Sequence, residues 1–265
     1  MKDTILSHLP PAHPWGQRLY WYEEVTSTNT IAKTMAAAGA AEGTVILADR
    51  QTAGRGRLGR SFCSKSGGIY MSVILRPQCA PAELMHLTCA VGVAVCDAVE
   101  HSISLRPGIK WINDLVLEHK KLGGILTELS IDPATGLVDY AVVGIGINCN
   151  QQALDFPAEL KKIACSAAMV TGTSIDRSLL AAELILSLDK MSQNLRTDRA
   201  SIMERYRKDC VTLGQHITVI RSDSRQNGVA LDISDDGSLI VCFDDGHTAA
   251  VNSGEVSVRG LFGYV

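Results

Sequence analysis

Residues 51–60 read Gln51-Thr52-Ala53-Gly54-Arg55-Gly56-Arg57-Leu58-Gly59-Arg60, and the last seven of them contain three glycines and three arginines. No acidic residue interrupts this stretch. Glycine lets the main chain adopt conformations closed to other residues and lets a ligand approach the backbone closely. Arginine supplies a planar, permanently charged group that suits carboxylate and phosphate oxygens. Because the like charges repel one another, we expect a mobile loop that closes over a small anion.

Two known phosphate-binding motifs fit the spacing of this loop but not its context. Its glycines satisfy the dinucleotide pattern GxGxxG, and residues 54–61 match a P-loop with Arg60 in place of the lysine. Both motifs require a strand before the loop and a helix after it. Residues 44–48 predict the strand, but residues 69–75 predict another strand instead of a helix. A third alternative, a disordered RGG-like tail, needs repetition, whereas this stretch occurs once inside a folded region.

Composition limits the classes of function. The chain has 265 residues, 46% hydrophobic and 20% charged, which is enough for one large and one small soluble domain. A net charge of −3 argues against a polyanion-binding surface, so no nucleic-acid partner is expected. The eight cysteines form no CxxC pair, which favours a reducing cytoplasmic compartment without disulfides. We expect no signal peptide and no membrane span, because the longest apolar run, residues 84–99, is interrupted by polar residues.

Short polar residues precede an alanine-rich segment near the N-terminus. Residues 1–18 predict an irregular lead-in and residues 19–22 a strand. Ser27, Thr28 and Asn29 then come directly before a predicted helix at residues 31–39. Such residues are typical helix N-caps. A polar helix N-terminus also suits a carboxylate or a ureido group, and the two interpretations are compatible.

Charged and amide residues interrupt the apolar segments that follow a predicted core helix at residues 81–100. In Lys110-Trp111-Ile112-Asn113-Asp114, the Asn-Asp pair is either a turn or a magnesium and phosphate site, because Mg²⁺ takes one or two carboxylates together with phosphate oxygens. Residues 118–120 predict a hairpin tip. Lys121 then precedes two glycines and an apolar strand, and it is either a surface charge or a cation that reaches inward to an anion.

The second half of the chain predicts a strand, then helices, then a small β domain. The strand at residues 137–149 contains Gly144 and Gly146, and glycine inside a buried strand usually marks close approach by a ligand or another backbone. Residues 157–212 predict helices. From residue 214 onward, short alternating runs separated by Asp-Asp-Gly turns predict a barrel of about five strands. The predicted domains are therefore residues 1–213 and 214–265.

Taken together, these segments resemble bacterial biotin–protein ligases. The matching segments, in chain order, are Ser27-Thr28-Asn29, QTAGRGRLGR (51–60), KWIND (110–114), KLGGIL (121–126), GIGIN (144–148) and Asn252–Ser257. The similarity covers about residues 19–265. Ile112 stands where the family usually has proline and Phe62 where it often has tryptophan, and neither difference removes a charged group.

The resemblance implies an α/β (α+β) fold, with a mixed-sheet catalytic domain similar to class II aminoacyl-tRNA synthetases and an SH3-like barrel behind it. It implies that biotin reacts with MgATP to give biotinyl-5′-AMP, and that a lysine of a biotin carboxyl carrier protein domain then takes the biotin. It implies biotin contacts at Ser27, Thr28, Asn29, Gln51, Arg55, Gly56, Arg57 and Lys121. It implies ATP or adenylate contacts at Arg57, Arg60, Asn113, Asp114, Lys121 and Asn148, with Asp114 on Mg²⁺. Arg55, Arg57 and Lys121 would be catalytic.

Some members of that family also repress genes through an N-terminal DNA-binding domain and form homodimers. About 18 residues precede the first predicted strand, so the sequence predicts a ligase without repressor activity, and a homodimer remains an expectation. The competing hypotheses are a lipoate-attaching ligase of the same fold and a biotin- or nucleotide-binding regulator without catalysis. The GRGRxGR and KWxND segments argue against the first, and Arg57, Asp114 and Lys121 argue against the second.

Overall fold

The structure is a computed structural model that describes residues 1–221, 224–252 and 257–260, the last four through their backbone. Within these residues the fold contains two β-sheets and six α-helices. The strands β1 to β7 are Leu19–Val25, Val45–Gln51, Ile69–Leu75, Gly108–Lys110, Asp114–Leu117, Lys120–Ile131 and Val138–Ile147. They form one sheet in the order β1-β2-β3-β7-β6-β5-β4. Only β1 and β2 run parallel, and the other neighbours are antiparallel. The predicted mixed sheet is confirmed.

Helices cover both faces of the seven-stranded sheet. The helices α1 to α6 are Lys2–His8, Thr28–Ala37, Leu87–Ile103, Ala167–Thr171, Arg177–Asn194 and Arg199–Asp209. On one face, α2 buries Ala32 and Ala36 against Ile46, Ile74 and Val142. The other face belongs to a larger core that includes α1, α3, α5 and α6. This arrangement points the N-terminus of α2 at the middle strands β3 and β7.

The apolar segment predicted as a core helix is α3, preceded by a short 3₁₀ turn at Pro81–Leu84. By length and composition alone, Pro81–Ile103 would suffice to cross a membrane, but 72% of its most apolar window is buried inside the protein. It packs against α5 and α6. Because α3 is packed on these sides, few of its residues face water, as expected for a core helix.

The C-terminal strands form a separate antiparallel sheet. Strands β8 to β12 are His216–Ile220, Arg225–Ile233, Leu239–Phe243, Thr248–Val251 and Ser257–Gly260, in the order β11-β10-β9-β8-β12. The two predicted Asp-Asp-Gly turns join β9 to β10 and β10 to β11, which confirms the five-stranded prediction. The domain boundary after residue 213 lies between α6 and β8 and stays a prediction. The family-like C-terminal segment includes residues 253–256, which lie outside the described residues.

Two predictions of local structure were wrong. Residues 1–18, expected to be irregular, contain α1 and a 3₁₀ turn at Gly16–Arg18. A seven-residue helix is marginal alone and leaves little signal in the sequence, and here α1 is held by packing against α5. Residues 157–166, expected to be helical, form turns, and the helices of that region begin at Ala167. All eight cysteines are free, as predicted.

The Ile5→Ala substitution tests whether the N-terminal helix belongs to the core. Ile5 is 0% exposed in α1. Deleting a fully buried isoleucine side chain typically costs about 2–5 kcal/mol through lost burial and the remaining cavity. We expect a loss of that size in the free energy of unfolding, measured by urea denaturation. Thr4→Ala, at an exposed position one residue earlier, is the control, and equal stability of both variants would contradict the packing of α1.

Candidate active site

A cavity of about 280 Å³ opens where the N-terminus of α2, the arginine-rich loop and strands β6 and β7 meet. Eleven of the twelve residues predicted from the sequence line it: Ser27, Thr28, Asn29, Gln51, Arg55, Gly56, Arg57, Arg60, Asn113, Asp114 and Lys121. These residues come from four separate segments, and the order of strands in the sheet brings them together. The cavity therefore combines a polar helix end with several cationic side chains.

The arginine-rich loop is a hairpin. The amide of Phe62 donates to Gly54 O at 2.9 Å and that of Gly56 donates to Arg60 O at 2.7 Å. At its tip, Leu58 is in the left-handed region with φ 55° and is 54% exposed. The sequence predicted a mobile loop, whereas these backbone hydrogen bonds give it local order that like-charge repulsion alone would not suggest. The hairpin holds its arginines over the mouth of the cavity.

Short polar side chains form the floor of the cavity. Ser27 occupies the N-cap position of α2, but its side chain makes no capping hydrogen bond. Thr28 and Asn29 are each 4% exposed, and Ser72 of β3, which is 0% exposed, lies 2.8 Å from Thr28 Oγ1 and 2.6 Å from Asn29 Oδ1. Gln51 Oε1 accepts from the Thr28 amide at 2.8 Å. Thr28 and Asn29, two of the polar residues expected to cap the helix, instead bond to side chains of the sheet.

Charged groups from the arginine-rich loop and strands β5 and β6 also line the cavity. Arg57 Nη1 donates to Asn113 Oδ1 at 3.1 Å. Lys121 Nζ donates to Asp114 Oδ1 at 2.6 Å, and both side chains are partly buried. Lys121 lines the cavity with its ammonium against Asp114, which favours an inward charge, and its contact with an anion stays a prediction. Asn113 belongs to a turn and Asp114 begins β5, so the turn and the binding interpretations of this pair are both compatible with the structure.

Burial and neighbouring charges act together on Arg57. Burial lowers the pKa of its guanidinium, the Asp114 carboxylate partly offsets this effect, and the nearby Arg60 lowers the pKa further. Arg57 is partly buried and Arg60 is exposed, and their like charges favour an anion close to both.

The glycines of β7 make room for the protein's own side chains. A Cβ at Gly144 would lie 2.0 Å from Asn29 Oδ1, and a Cβ at Gly146 would lie 2.6 Å from the Phe62 ring. The sequence predicted close approach at these glycines by a ligand or a backbone. The structure instead shows that they let Asn29 and Phe62 lie flat against the sheet.

One predicted residue lies elsewhere. Asn148 is 5% exposed, its Nδ2 donates to Cys165 O at 3.0 Å, and it does not line the cavity. Its amide anchors the segment before α4 to the end of β7, so the structure does not place it with the other predicted residues.

Sequence reasoning also missed some side chains at the site. Lys110 is 6% exposed and lines the cavity together with Trp111. A lysine inside an apolar, strand-like run was a signal that the sequence contained. Glu128, which bonds to Asn29, and Ser72 gave no comparable signal, because each lies in a strand whose sequence shows nothing of its partners.

Comparisons with known proteins identify the family of the chain. The profile of the Biotin/lipoate A/B protein ligase family matches residues 21–148, and that of the Biotin protein ligase C terminal domain matches residues 212–259. The chain is 36% identical over 233 residues to the bifunctional ligase/repressor BirA of Bacillus subtilis, covering 87% of this chain and 71% of that one. It is 33% identical over 238 residues to the biotin–[acetyl-CoA-carboxylase] ligase of Mycobacterium tuberculosis, covering 87% and 85%.

A solved structure with the same fold is the biotin protein ligase from Aquifex aeolicus in complex with biotin and ATP. Its TM-score is 0.76 at 30% identity, and the match covers 91% of this chain and 98% of that one. The chain belongs to the biotin/lipoate A/B protein ligase family. Within that family, its sequence relatives, its C-terminal domain and its structural neighbours place it among the biotin protein ligases, which are enzymes.

Proposed function

We propose that this enzyme activates biotin with MgATP to biotinyl-5′-AMP and transfers the biotin to a lysine of a biotin carboxyl carrier protein domain. The observation that carries the proposal is the lining of one cavity, which combines neutral polar side chains at the α2 N-terminus with several cations, among them Arg57 and Lys121. Biotin has matching ends, because its ureido ring is polar and neutral and its valerate ends in a carboxylate. The ring would lie on the floor, and the carboxylate would point towards Arg57 and Lys121.

The first half-reaction needs two anions to approach each other. An oxygen of the biotin carboxylate attacks the α-phosphorus of ATP, the bond from that phosphorus to the bridging oxygen breaks, and pyrophosphate leaves with the bonding electrons. Arg57, Arg60 and Lys121 would stabilise the charge that accumulates on the phosphoryl oxygens. A hydrogen bond to a charged group contributes about 1.5–3 kcal/mol, so their combined effect on the barrier is large.

The second half-reaction needs no nucleophile from the enzyme. The neutral ε-amine of the acceptor lysine attacks the carbonyl carbon of the mixed anhydride, an amide bond forms, and AMP leaves. The amine loses a proton in this step. Until the acceptor arrives, the hairpin over the cavity mouth would shield the anhydride from water.

For Mg²⁺, the donor set at the cavity fits. In phosphoryl-transfer sites Mg²⁺ is held by one or two carboxylates together with phosphate oxygens, and Asp114 supplies one carboxylate. Among residues 1–221, 224–252 and 257–260, no group of three or more His, Cys, Asp and Glu side chains is placed to hold a metal ion alone. The metal would therefore enter with the nucleotide, on Asp114, and would neutralise phosphate charge there.

The pair formed by Lys121 and Asp114 gives these residues linked roles. At 2.6 Å, the carboxylate keeps the ammonium inside the cavity before substrates bind. If Asp114 held the metal, Lys121 would be available to the biotin carboxylate and the α-phosphate. The pair thus positions the lysine for the chemistry.

The acceptor and the cellular setting follow from the same proposal. A carrier domain of a biotin-dependent carboxylase would present its lysine at the mouth of the cavity, in the cytoplasm, where ATP and the carboxylase are found. A homodimer is compatible with this chemistry, since each cavity is built within one chain.

Transfer to an isolated carrier domain tests the whole proposal. The protein is incubated with biotin, MgATP and a purified biotinyl carrier domain, and the acceptor is analysed by intact-mass spectrometry. We expect one biotin to be added per carrier domain, at a single lysine, and only with ATP present. A carrier domain without that lysine is the control. Addition of lipoate in a parallel reaction, with no addition of biotin, would contradict the assigned substrate.

The Gly54→Ala substitution tests the hairpin. A Cβ at Gly54 would lie 2.4 Å from both Phe62 O and Ser64 Oγ, so the hairpin must move. Because the arginines then lose their positions, we expect the biotin-dependent rate to fall about tenfold or more. Ala53→Ser adds one atom at the exposed preceding residue and is the matched control. Equal rates for the two variants would contradict a role for the hairpin geometry.

A further inference from the structure

The hydrogen bonds beneath the cavity floor have only one consistent direction, and Glu128 of β6 sets it. Asn29 Nδ2 lies 2.9 Å from Glu128 Oε2 and 3.3 Å from Leu126 O. A carboxylate and a carbonyl can only accept hydrogen bonds. The nitrogen of the Asn29 amide must therefore face them, and both of its hydrogens are used there.

The opposite end of the Asn29 amide fixes the next hydroxyl. Asn29 Oδ1 lies 2.6 Å from Ser72 Oγ and carries no hydrogen, so the Ser72 hydroxyl must donate its one proton to it. Ser72 Oγ also lies 2.8 Å from Thr28 Oγ1. Since the Ser72 proton is already used, a hydrogen bond between these two hydroxyls requires Thr28 to be the donor.

The direction of these hydrogen bonds leaves two acceptors side by side at the cavity. Thr28 Oγ1 also lies 3.1 Å from Gln51 Oε1, farther than the 2.8 Å to Ser72 Oγ, so we assign its one proton to the nearer contact with Ser72. The Thr28 amide is a donor, so the end of the Gln51 side chain that faces it must be the oxygen and not the nitrogen. Thr28 Oγ1 and Gln51 Oε1 therefore face each other without a shared proton, and both residues line the cavity. A ligand N–H is the group that this pair lacks.

Glu128 remains a carboxylate because of its own neighbours. Lys33 Nζ donates to Glu128 Oε1 at 2.7 Å, and both side chains are partly buried. Burial favours the neutral acid, but the hydrogen bonds from Lys33 and Asn29 outweigh it, so the pKa of Glu128 lies below its usual value. The positive field of Arg55 acts in the same direction.

We propose that Glu128 is a positioning residue that acts through Asn29 and Ser72 to hold the Thr28 hydroxyl as an acceptor for a ureido N–H of biotin. The proposal rests on the proposed function in its choice of ligand. It explains why Asn29, although it is buried at the cavity, donates both of its N–H groups to acceptors of the protein. It also gives the cavity a means of selecting a ring with N–H donors over a dithiolane ring, which has none.

Replacing Glu128 by glutamine is expected to reverse the direction of these hydrogen bonds. The glutamine oxygen turns to the Lys33 ammonium, which leaves its NH₂ group facing Asn29. The Asn29 amide then flips, at the cost of its 3.3 Å hydrogen bond to Leu126 O. Ser72 accepts from the flipped amide and donates to Thr28, and the Thr28 hydroxyl points at Gln51. The pair that receives the ligand N–H is lost. Lys33→Met in the same protein removes the ammonium, so the glutamine oxygen can face Asn29 again.

The experiment is isothermal titration of the full-length protein with biotin and with biotin methylated at its ureido nitrogens. We expect Glu128→Gln to weaken biotin binding about tenfold, and Glu128→Gln with Lys33→Met to restore most of the affinity. Methylation should cost the wild type about tenfold and the Glu128→Gln variant about twofold or less, since the acceptor pair is already lost. Glu24→Gln, in an exposed pair with Arg50, is the matched control and should bind biotin as the wild type does.

A purely structural role for Glu128 predicts different results. In that case Lys33→Met would weaken biotin binding further instead of restoring it. Methylation of biotin would then weaken binding by the same factor in every variant. Either outcome overturns the proposal, as does unchanged biotin binding by Glu128→Gln. Failure of the wild type to bind biotin would contradict the proposed function itself, which keeps the two claims separate.

Discussion

Lys121→Met is expected to slow adenylate formation about 100- to 1,000-fold, the range seen when one preorganised charge-stabilising donor is removed from a transition state. Lys121 Nζ lies in the cavity, 2.6 Å from Asp114 Oδ1, with partly buried surroundings that strengthen its field. Methionine has a similar length but no charge. The measurement is single-turnover formation of biotinyl-5′-AMP at saturating biotin and MgATP.

Lys120→Met is the matched control for this variant. Lys120 is the preceding residue in β6, its side chain points to the other face of the strand, and it does not line the cavity. We expect the control to react at close to the wild-type rate. The thermal midpoints of both variants should remain close to that of the wild type, because a partly exposed ion pair contributes little to stability. An unchanged rate for Lys121→Met would return this lysine to the role of a surface charge.

Arg57→Ala is expected to reduce adenylate formation by about 100-fold or more and to speed the dissociation of the adenylate. Arg57 is held at the cavity by its bond to Asn113 Oδ1, and burial together with Arg60 lowers the pKa of its guanidinium. An anion bound between the two arginines relieves this repulsion, so the guanidinium favours the charged adenylate. Arg57→Lys keeps the charge without the planar fork and should be intermediate.

Arg50→Ala is the control for charge removal near the same loop. Arg50 is exposed, pairs with Glu24 and does not line the cavity. Its loss should leave both adenylate formation and adenylate dissociation close to the wild-type values. Single-turnover kinetics and competition with unlabelled biotin measure the two steps. Wild-type values for Arg57→Ala in both steps would remove Arg57 from the proposed machinery.

The part of the site that could be predicted consists of short segments whose residue types indicate their chemistry. The arginine-rich loop, the polar residues before α2 and the KWIND segment each combine residue types that a packed core does not need. Lys121 was ambiguous in the sequence, because a lysine before a strand is most often at the surface. Only the pairing of β5 with β6, which puts Asp114 opposite Gly124, shows why the lysine turns inward.

The part that could not be predicted depends on contacts between distant segments. Glu128 meets Asn29 across 99 residues and Ser72 meets it across 43, and neither strand carries a signal for its partner. Gly144 predicted a close approach, but not that the neighbour is the Asn29 side chain. The helix α1 escaped prediction for a related reason, since its stability comes from packing against α5.

Biotin-dependent exchange of pyrophosphate into ATP tests the central claim most directly, because it isolates the activation of a carboxylate in this cavity and requires no acceptor. The purified protein is assayed with MgATP and labelled pyrophosphate, with biotin or lipoate in parallel. The proposed function predicts exchange with biotin, none without it, and little with lipoate. Exchange with lipoate alone, or biotin binding without any exchange, would contradict the assignment of a biotin-activating site.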